Sequence, residues 1–310
     1  MRIIMPYAQA VPRDISRGGM RMIEMAARNC YRSEGAGDPE GFVRRLIERG
    51  HDAMLEHGDY IFRLDDYHML DCLQAALRRH EEDTGRRIPL TVTNIDQRHI
   101  VSGTVRAWRE LMQADTAAKH YFAFLIDPVY RHGVREVEDP EPQTGVHPLL
   151  YADLAGPVER AAHMRVTMRF VIDRGVSHEF VRHRTFAFAQ ESTRYCNYSN
   201  GKFGKEITVI QPCFLREDTV TYHQWELACE SAERYYFKLL ELGMKPEEAR
   251  DVLPVSLKTE LIMTGTLGAW EHFFDLRVRQ VTGPAHPQAV EAGKMALVEY
   301  ERTIKQIAVL

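Results

Sequence analysis

Apolar positions in the first fifty residues recur every three or four places. Met20, Ile23, Ala26, Ala27 and Cys30 predict a helix over residues 16–31, and Phe42, Leu46 and Ile47 predict another in GFVRRLIERG, with Gly50 as its stop. The period then shortens. HDAMLEHGDYIFRL drifts into the alternation of a strand, before residues 65–83 return to helical spacing. DPVYRHGVREVEDPEPQTGVHP has proline and glycine punctuation, acidic charge and no period, so it reads as an exposed loop. Beyond it lies the clearest strand, HMRVTMRFVID, where Val166, Met168, Phe170 and Ile172 alternate with Arg165, Thr167 and Arg169 as in a half-buried strand. KEITVIQP is a second strand. Residues 219–242 carry a long helix with Tyr222, Trp225, Leu227, Tyr236 and Leu239, and Pro246 with two glutamates after it begins another. Strands and helices mix without a βαβ rhythm or any GxGxxG, which predicts an α+β fold, a mainly antiparallel sheet flanked by helices.

Two stretches echo one another. VSGTVRAWREL at 101–111 and MTGTLGAWEHF at 263–273 share Gly, Thr, Ala and Trp in register. The match is too short to prove duplication, and chance or a shared rule of helix entry, Thr ahead of an apolar run, accounts for it.

Composition narrows the class. With 310 residues, 45% of them hydrophobic, the chain has ample material for a core, and it suits one large domain or two ordinary ones. A net charge of −4 and a pI near 6.4 supply no overall field for a polyanion, which disfavours bulk nucleic-acid binding. Cys30, Cys72, Cys196, Cys213 and Cys229 are odd in number, scattered and without a CxxC, as expected of a reduced cytoplasmic protein with neither disulfides nor a zinc knuckle. No export signal or membrane span is evident.

Against that acidic background, VRHRTFAFAQESTRYCNYS, residues 181–199, concentrates Arg182, His183, Arg184 and Arg194 beside aromatic rings. Residues 176–184 can form a short helix. If the next piece is extended, Phe186 and Phe188 make one face aromatic while Ala187 and Ala189 leave the other nearly bare, open to a flat ring. Guanidiniums with Ser192 between them supply forked donors for phosphate, and together the features suggest a phosphorylated, planar ligand; pairing with acids elsewhere is the plainer use of the same arginines. His51 and His57, six apart, lack the spacing of a helical zinc pair, so no metal site is expected. Cys196 beside Arg194 has the makings of a nucleophile toward a pyrimidine carbon, although a lone cysteine next to Tyr195 is more often buried and inert.

These residues carry a resemblance. Arg182, His183, Arg184, Ser192, Arg194 and Tyr195 stand in the register RHRxxSxxxxSxRY, the signature of the flavin-dependent thymidylate synthases. AARNCYRS, GHDAMLEHGDYIF and EEARDVLPVSLKTELIMTGTLGAWEHFFDLR followed by AHPQ support it in the expected order, so the resemblance spans residues 1–64 and 163–310. It implies a homotetramer with active sites between subunits, binding FAD, a uracil nucleotide, methylenetetrahydrofolate and NADPH. By position, His51, Glu56, Arg182, His183, Arg184, Thr185, Cys30 and His272 would line the flavin. Glu179, Arg182, Gln190, Ser192, Arg194 and Arg250 would meet the nucleotide, with Arg277 near the uracil; Arg277, Arg182 and His51 would act in catalysis. Ser192 then reads as a phosphate donor, and Cys196 has no role.

Departures from the family pattern fall in the same places. Its first signature Ser is Ala187, a common Asn is Ala189, and its usual Gln and Glu appear exchanged as Glu179 and Gln190. The expected Asn and Arg of TGNxRAW are Thr266 and Gly268, and Arg106 in the earlier echo is expected to fold in and replace the lost cation. Residues 65–162 lie outside the resemblance and read as a largely helical insertion into a single domain of residues 1–310. A surface elaboration is the plain account of them; a lid, an oligomer contact or a regulatory surface are the others. Conversion of dUMP to dTMP is the first functional reading. The same chemistry on UMP or another pyrimidine nucleotide is the second, and a non-catalytic nucleotide- or flavin-binding relative the third.

Overall fold

The computed structural model describes residues 1–13, 16–33, 37–134, 144–199, 201 and 204–309. β1 (Arg2–Ile4) and β2 (Tyr7–Ala10) lead to α1 (Met20–Tyr31), which begins only after Gly18 and Gly19 turn the chain at positive φ. Asp38 accepts from the Gly41 N–H to start α2 (Pro39–Glu48), with Pro39 at its first position. A 3-10 helix, Asp52–His57, hands over to β3 (Asp59–Leu64), and Asp66 caps α3 (Tyr67–Thr84). β4 (Leu90–Ile95) and β5 (Arg98–Thr104) form a hairpin over Asp96 and Gln97, both at positive φ. α4 (Val105–Ala114), α5 (Thr116–Phe122), α6 (Pro128–Arg131), β6 (Val146–Pro148) and α7 (Gly156–His163) follow. α6 and β6 occupy the two ends of the segment expected as a loop; its residues 135–143 lie outside the described residues.

The second half runs through β7 (Arg165–Asp173), α8 (Arg174–Phe180), β8 (Ala187–Gln190), β9 (Thr208–Ile210), α9 (Val220–Glu241) and α10 (Pro246–Ala249). It ends with β10 (Lys258–Thr266), α11 (Leu267–Arg277) and α12 (Pro287–Val309). Two antiparallel four-stranded sheets result, ordered β4-β5-β3-β6 and β8-β10-β7-β2, beside a parallel pair β1-β9. This is the α+β architecture expected of the pattern.

Two expectations change. β7 is covered on both faces rather than one: Val166, Met168, Phe170 and Ile172 pack with Trp270 and Phe274, while Thr167 on the other face bonds the Thr264 hydroxyl at 2.8 Å. Residues 65–162, largely helical as expected, are not a surface elaboration. Their three strands complete the sheet that β3 begins, and Trp108, Leu111, Phe122 and Tyr130 share a core with Ile23, Leu55 and Phe62. The echoed segments become two copies of one device. Thr104 and Thr266 end β5 and β10, their hydroxyls accept from the N–H of Ala107 and Ala269, and Trp108 and Trp270 are fully buried one turn later.

Candidate functional site

β8 and the turn ahead of it organise the chemistry. α8 stops at Phe180, and the next turn closes with the His183 N–H donating to the Phe180 carbonyl and the Phe186 N–H to the His183 carbonyl, each at 3.1 Å. Arg182, Arg184 and Thr185 are thereby exposed, and His183 is buried. α11 delivers Arg277 to the same turn. Its Nε donates to His183 Nε2 at 3.0 Å, and its two Nη groups donate to the Glu179 carboxylate at 2.7 Å and the Glu179 carbonyl at 3.0 Å. Accepting from a guanidinium requires a bare ring nitrogen. Burial, helped by the charges of Arg277 and His272, pushes the His183 pKa down to about 4, so the ring is neutral at pH 7. The His272 ring lies 6.3 Å from that of His183. Glu179, His183, His272 and Arg277 thus form one group.

Four residues on, roughly 13 Å along the strand, the other end of β8 gathers a second group. The Ser192 N–H donates to the Cys30 carbonyl at 3.1 Å, and the Ser192 hydroxyl accepts from the Arg194 N–H at 3.3 Å. Arg250 donates to the Thr193 hydroxyl at 3.3 Å, and the exposed Arg194 lies 3.6 Å from Glu247. Ser192, Arg194 and Arg250 thus lie at one corner, with donors suited to a phosphate; Cys30, assigned by the resemblance to the flavin, stands at this corner and not at the turn 182–185. Gln190 does not join them: its amide donates to the hydroxyls of Ser177 and Thr259 at 2.8 and 3.2 Å. Cys196 is fully buried in the core beneath α9, which removes it as an accessible nucleophile.

The bare face of β8 is also closed. Ala189 packs with Ala26 of α1, Ile262 and Met54, while Phe186 is buried against Trp270. A flat ring therefore has the exposed turn at 182–185 to meet, not the strand face.

His51, Glu56 and Arg106 form a third place, in the N-terminal half. Arg106 does not fold in beside Gly268 as expected: it donates to Glu56 at 2.7 Å and Glu110 at 3.0 Å, while Gly268 faces the Ala161 carbonyl. His51 is exposed at the start of the 3-10 helix.

A buried charge network was missed by sequence reasoning. Lys258 donates to Glu191 at 2.8 Å and Glu260 at 2.7 Å, and Glu260 also receives Arg169. Burial pushes the Glu260 carboxyl up, but Lys258 and Arg169 outweigh it and hold it below the ordinary range. Beside the network a cavity of about 560 Å³ is lined by Arg21, Arg28, Asn29, Arg32, Arg169 and Glu260. Its sequence signal was there: Lys258 and Glu260 interrupt an apolar strand on one face, and Arg21, Arg28 and Arg32 fall at helical spacing.

Residues 150–297 match the model of the family described as thymidylate synthase complementing protein. Flavin-dependent thymidylate synthase from Pyrococcus abyssi is 30% identical over 102 residues, 33% of this chain and 41% of that protein. A probable flavin-dependent thymidylate synthase from Paramecium bursaria Chlorella virus 1 is 29% identical over 148 residues, 43% of this chain and 66% of that one. The chain thus spans less than half the length of the first of these relatives. A crystal structure of the UMP/dUMP methylase PolB from Streptomyces cacaoi bound with 5-Br UMP aligns over 99% of this chain and 92% of that chain, at 16% identity and a TM-score of 0.41.

Proposed function

We propose that this chain, whose residues 150–297 match the thymidylate synthase complementing protein family, is a flavin-dependent methyltransferase acting on C5 of a pyrimidine nucleotide. Its first substrate is dUMP, with methylenetetrahydrofolate as carbon donor and NADPH as reductant. The observation that carries the reading is the fork of Arg277, held against neutral His183 and Glu179 beside the exposed Arg182 and Arg184.

The residues present fit a flavin by their donor set. Among the described residues, Arg182 and Arg184 make no side-chain bond or ion pair, so their guanidiniums are available to an anionic, planar group. Arg182, His183, Arg184 and Thr185 would hold it, and bound flavin would supply the hydride that turns a transferred methylene into a methyl group. Arg277, already oriented, places donors where negative charge develops on the pyrimidine oxygens, without reorganisation at the moment of reaction. Ser192, Arg194 and Arg250 hold the nucleotide phosphate with charge-assisted bonds. Assembly into a homotetramer is part of the same reading.

Purified protein should be yellow and release FAD on denaturation, and turnover should be measured with dUMP and UMP side by side. Colourless protein that cannot be reconstituted with FAD sinks the reading; faster turnover of UMP keeps the chemistry and changes the substrate. Arg277→Ala should cut kcat on the order of 100- to 1000-fold, with steady-state kinetics as the check.

A further inference from the structure

The two sheets share more than their strand order. Asp59 faces Thr104 as Arg165 faces Thr266, and in both sheets the hairpin-like pair is flanked by one strand on each side. Single hydrogen bonds repeat at matched positions. The Val105 N–H donates to the Gly58 carbonyl and the Leu267 N–H to the Met164 carbonyl, both at 2.9 Å. Trp108 donates to the Tyr60 carbonyl at 3.3 Å, and Trp270 to the Val166 carbonyl at 3.0 Å.

Between the halves the matches cross over. His57 Nδ1 meets the Thr264 hydroxyl of β10 at 2.8 Å, and His163 Nδ1 meets the Ser102 hydroxyl of β5 at 2.7 Å. β2 precedes β3 in the chain but pairs with β7, whereas β6 precedes β7 but pairs with β3. The Val11 N–H donates to the Thr167 carbonyl and the Leu149 N–H to the Ile61 carbonyl, again both at 2.9 Å. Such reciprocity is what a two-fold axis between two copies produces.

Each copy's segment ahead of its first strand therefore lies on the other's sheet: the 3-10 helix Asp52–His57 on β8, and α7 on β4. In register, His51, Asp52, Glu56 and Arg106 correspond to Pro157, Val158, Ala162 and Gly268. The first set is charged, and Asp52, Glu56 and Arg106 line a cleft of about 1260 Å³ with Arg79, His80 and Arg86. The second lines an apolar cavity of about 570 Å³ together with Thr91. Thr91 is the counterpart of Ala187 at the start of β8, and β8 packs on the 3-10 helix Asp52–His57, which carries the turn ahead of it toward the side of the molecule that holds His51 and Glu56.

We propose that the chain is a tandem duplication whose two copies have kept complementary parts of one flavin site, giving one site per chain instead of two. The C-terminal copy supplies the turn 182–185 and Arg277, and the N-terminal copy supplies His51, Glu56 and Arg106. The equivalent place at Pro157, Ala162 and Gly268 has been emptied. The inference rests on the proposed flavin chemistry and deepens it.

The test is the amount of FAD released per chain from the full-length protein, with FAD titrated into wild type and variants. One FAD per chain is expected, with affinity falling at least tenfold in Arg106→Ala and in Glu56→Gln, an isosteric change that spares the fold. Val158→Ser and Ala162→Ser should bind as wild type does. Two FAD per chain, unchanged affinity in both Arg106→Ala and Glu56→Gln, or equal losses at the two places overturns the single-site inference while leaving flavin chemistry intact. Failure of wild type to bind FAD at all overturns the proposed function itself, and the inference falls with it.

Discussion

The sheet β4-β5-β3-β6 and the sheet β8-β10-β7-β2 have the same order and register, yet only the second carries the arginine turn. Both keep the parts that fold: a Thr cap at the strand end, a buried Trp returning its N–H to the first strand, and a histidine bonded to a hydroxyl of the opposite sheet. What differs is the lining of the clefts. A single detail shows how fine the divergence runs. His163 is bonded at both ring nitrogens, to Ser102 and to Thr93, whereas among the described residues no side chain bonds Nε2 of His57, which lies where the copy's equivalent of Thr93 is Ala189. Packing constrains the frame in both halves, and the surface of a cleft is free to change in either.

That comparison can be broken most directly through the two tryptophans. Trp108→Ala and Trp270→Ala should each destabilise the protein by about 3–5 kcal/mol, read as the shift in urea unfolding. Trp270 should cost more, because it contacts Phe170, Phe186, Phe273 and Phe274 where Trp108 contacts Phe62 and Phe122. A negligible cost at either position would contradict equivalent roles.

Acid should act next, through the crossing histidines. Burial pushes His57 and His163 each down to about 4. Their folded pKa lies below the unfolded value near 6.5, so the folded state binds fewer protons; the stabilisation is complete above pH 6.5 and is lost as pH falls toward 4. For the fully buried His57 this amounts to roughly 3 kcal/mol. Unfolding free energies at pH 7, 5.5 and 4 should trace that decline, and His57→Gln should flatten part of it. A profile unchanged by the substitution would remove His57 from the account.

The smallest effect sharpens the comparison rather than testing it hard. Thr104→Ala and Thr266→Ala each remove one helix cap and should cost about 1 kcal/mol apiece, measurable as matched shifts in melting temperature. Unequal costs would show that one copy has come to depend on its cap more than the other.

Much of this was legible in the chain. Period and capping residues located α1, α2, α3, β7 and α9 to within a few positions, because each element's local signal agrees with its burial. The register of Arg182, Ser192 and Arg194 singled out the segment around β8; Arg250 bonds Thr193 beside Ser192 and Arg277 bonds His183 beside Arg182, whereas Cys30, expected at the flavin, contacts Ser192 at the far end of the strand. Gln190 turns away from the phosphate corner, and Arg106 lies apart from Gly268, for one reason: a polar side chain goes to whichever partner the fold brings near, and neither Ser177 nor Glu56 is near in sequence. Lys258 and Glu191 went unnoticed because an ion pair sixty-seven residues apart has no local pattern.

The sequence by itself determined the elements with a strong local period, the α+β class, the resemblance of the 182–195 register to a family signature, and the residue types available for phosphate and flavin. Those depend on short-range periodicity and on side-chain chemistry, which spacing records. Tertiary structure alone decided that residues 65–162 complete a second sheet, that the echo at 101–111 and 263–273 belongs to a repeated frame, and that β2 and β6 are exchanged between halves. Strand pairing is a contact between distant segments, and the hydrogen bonds and buried faces that select one pairing over another exist only once the chain has closed on itself.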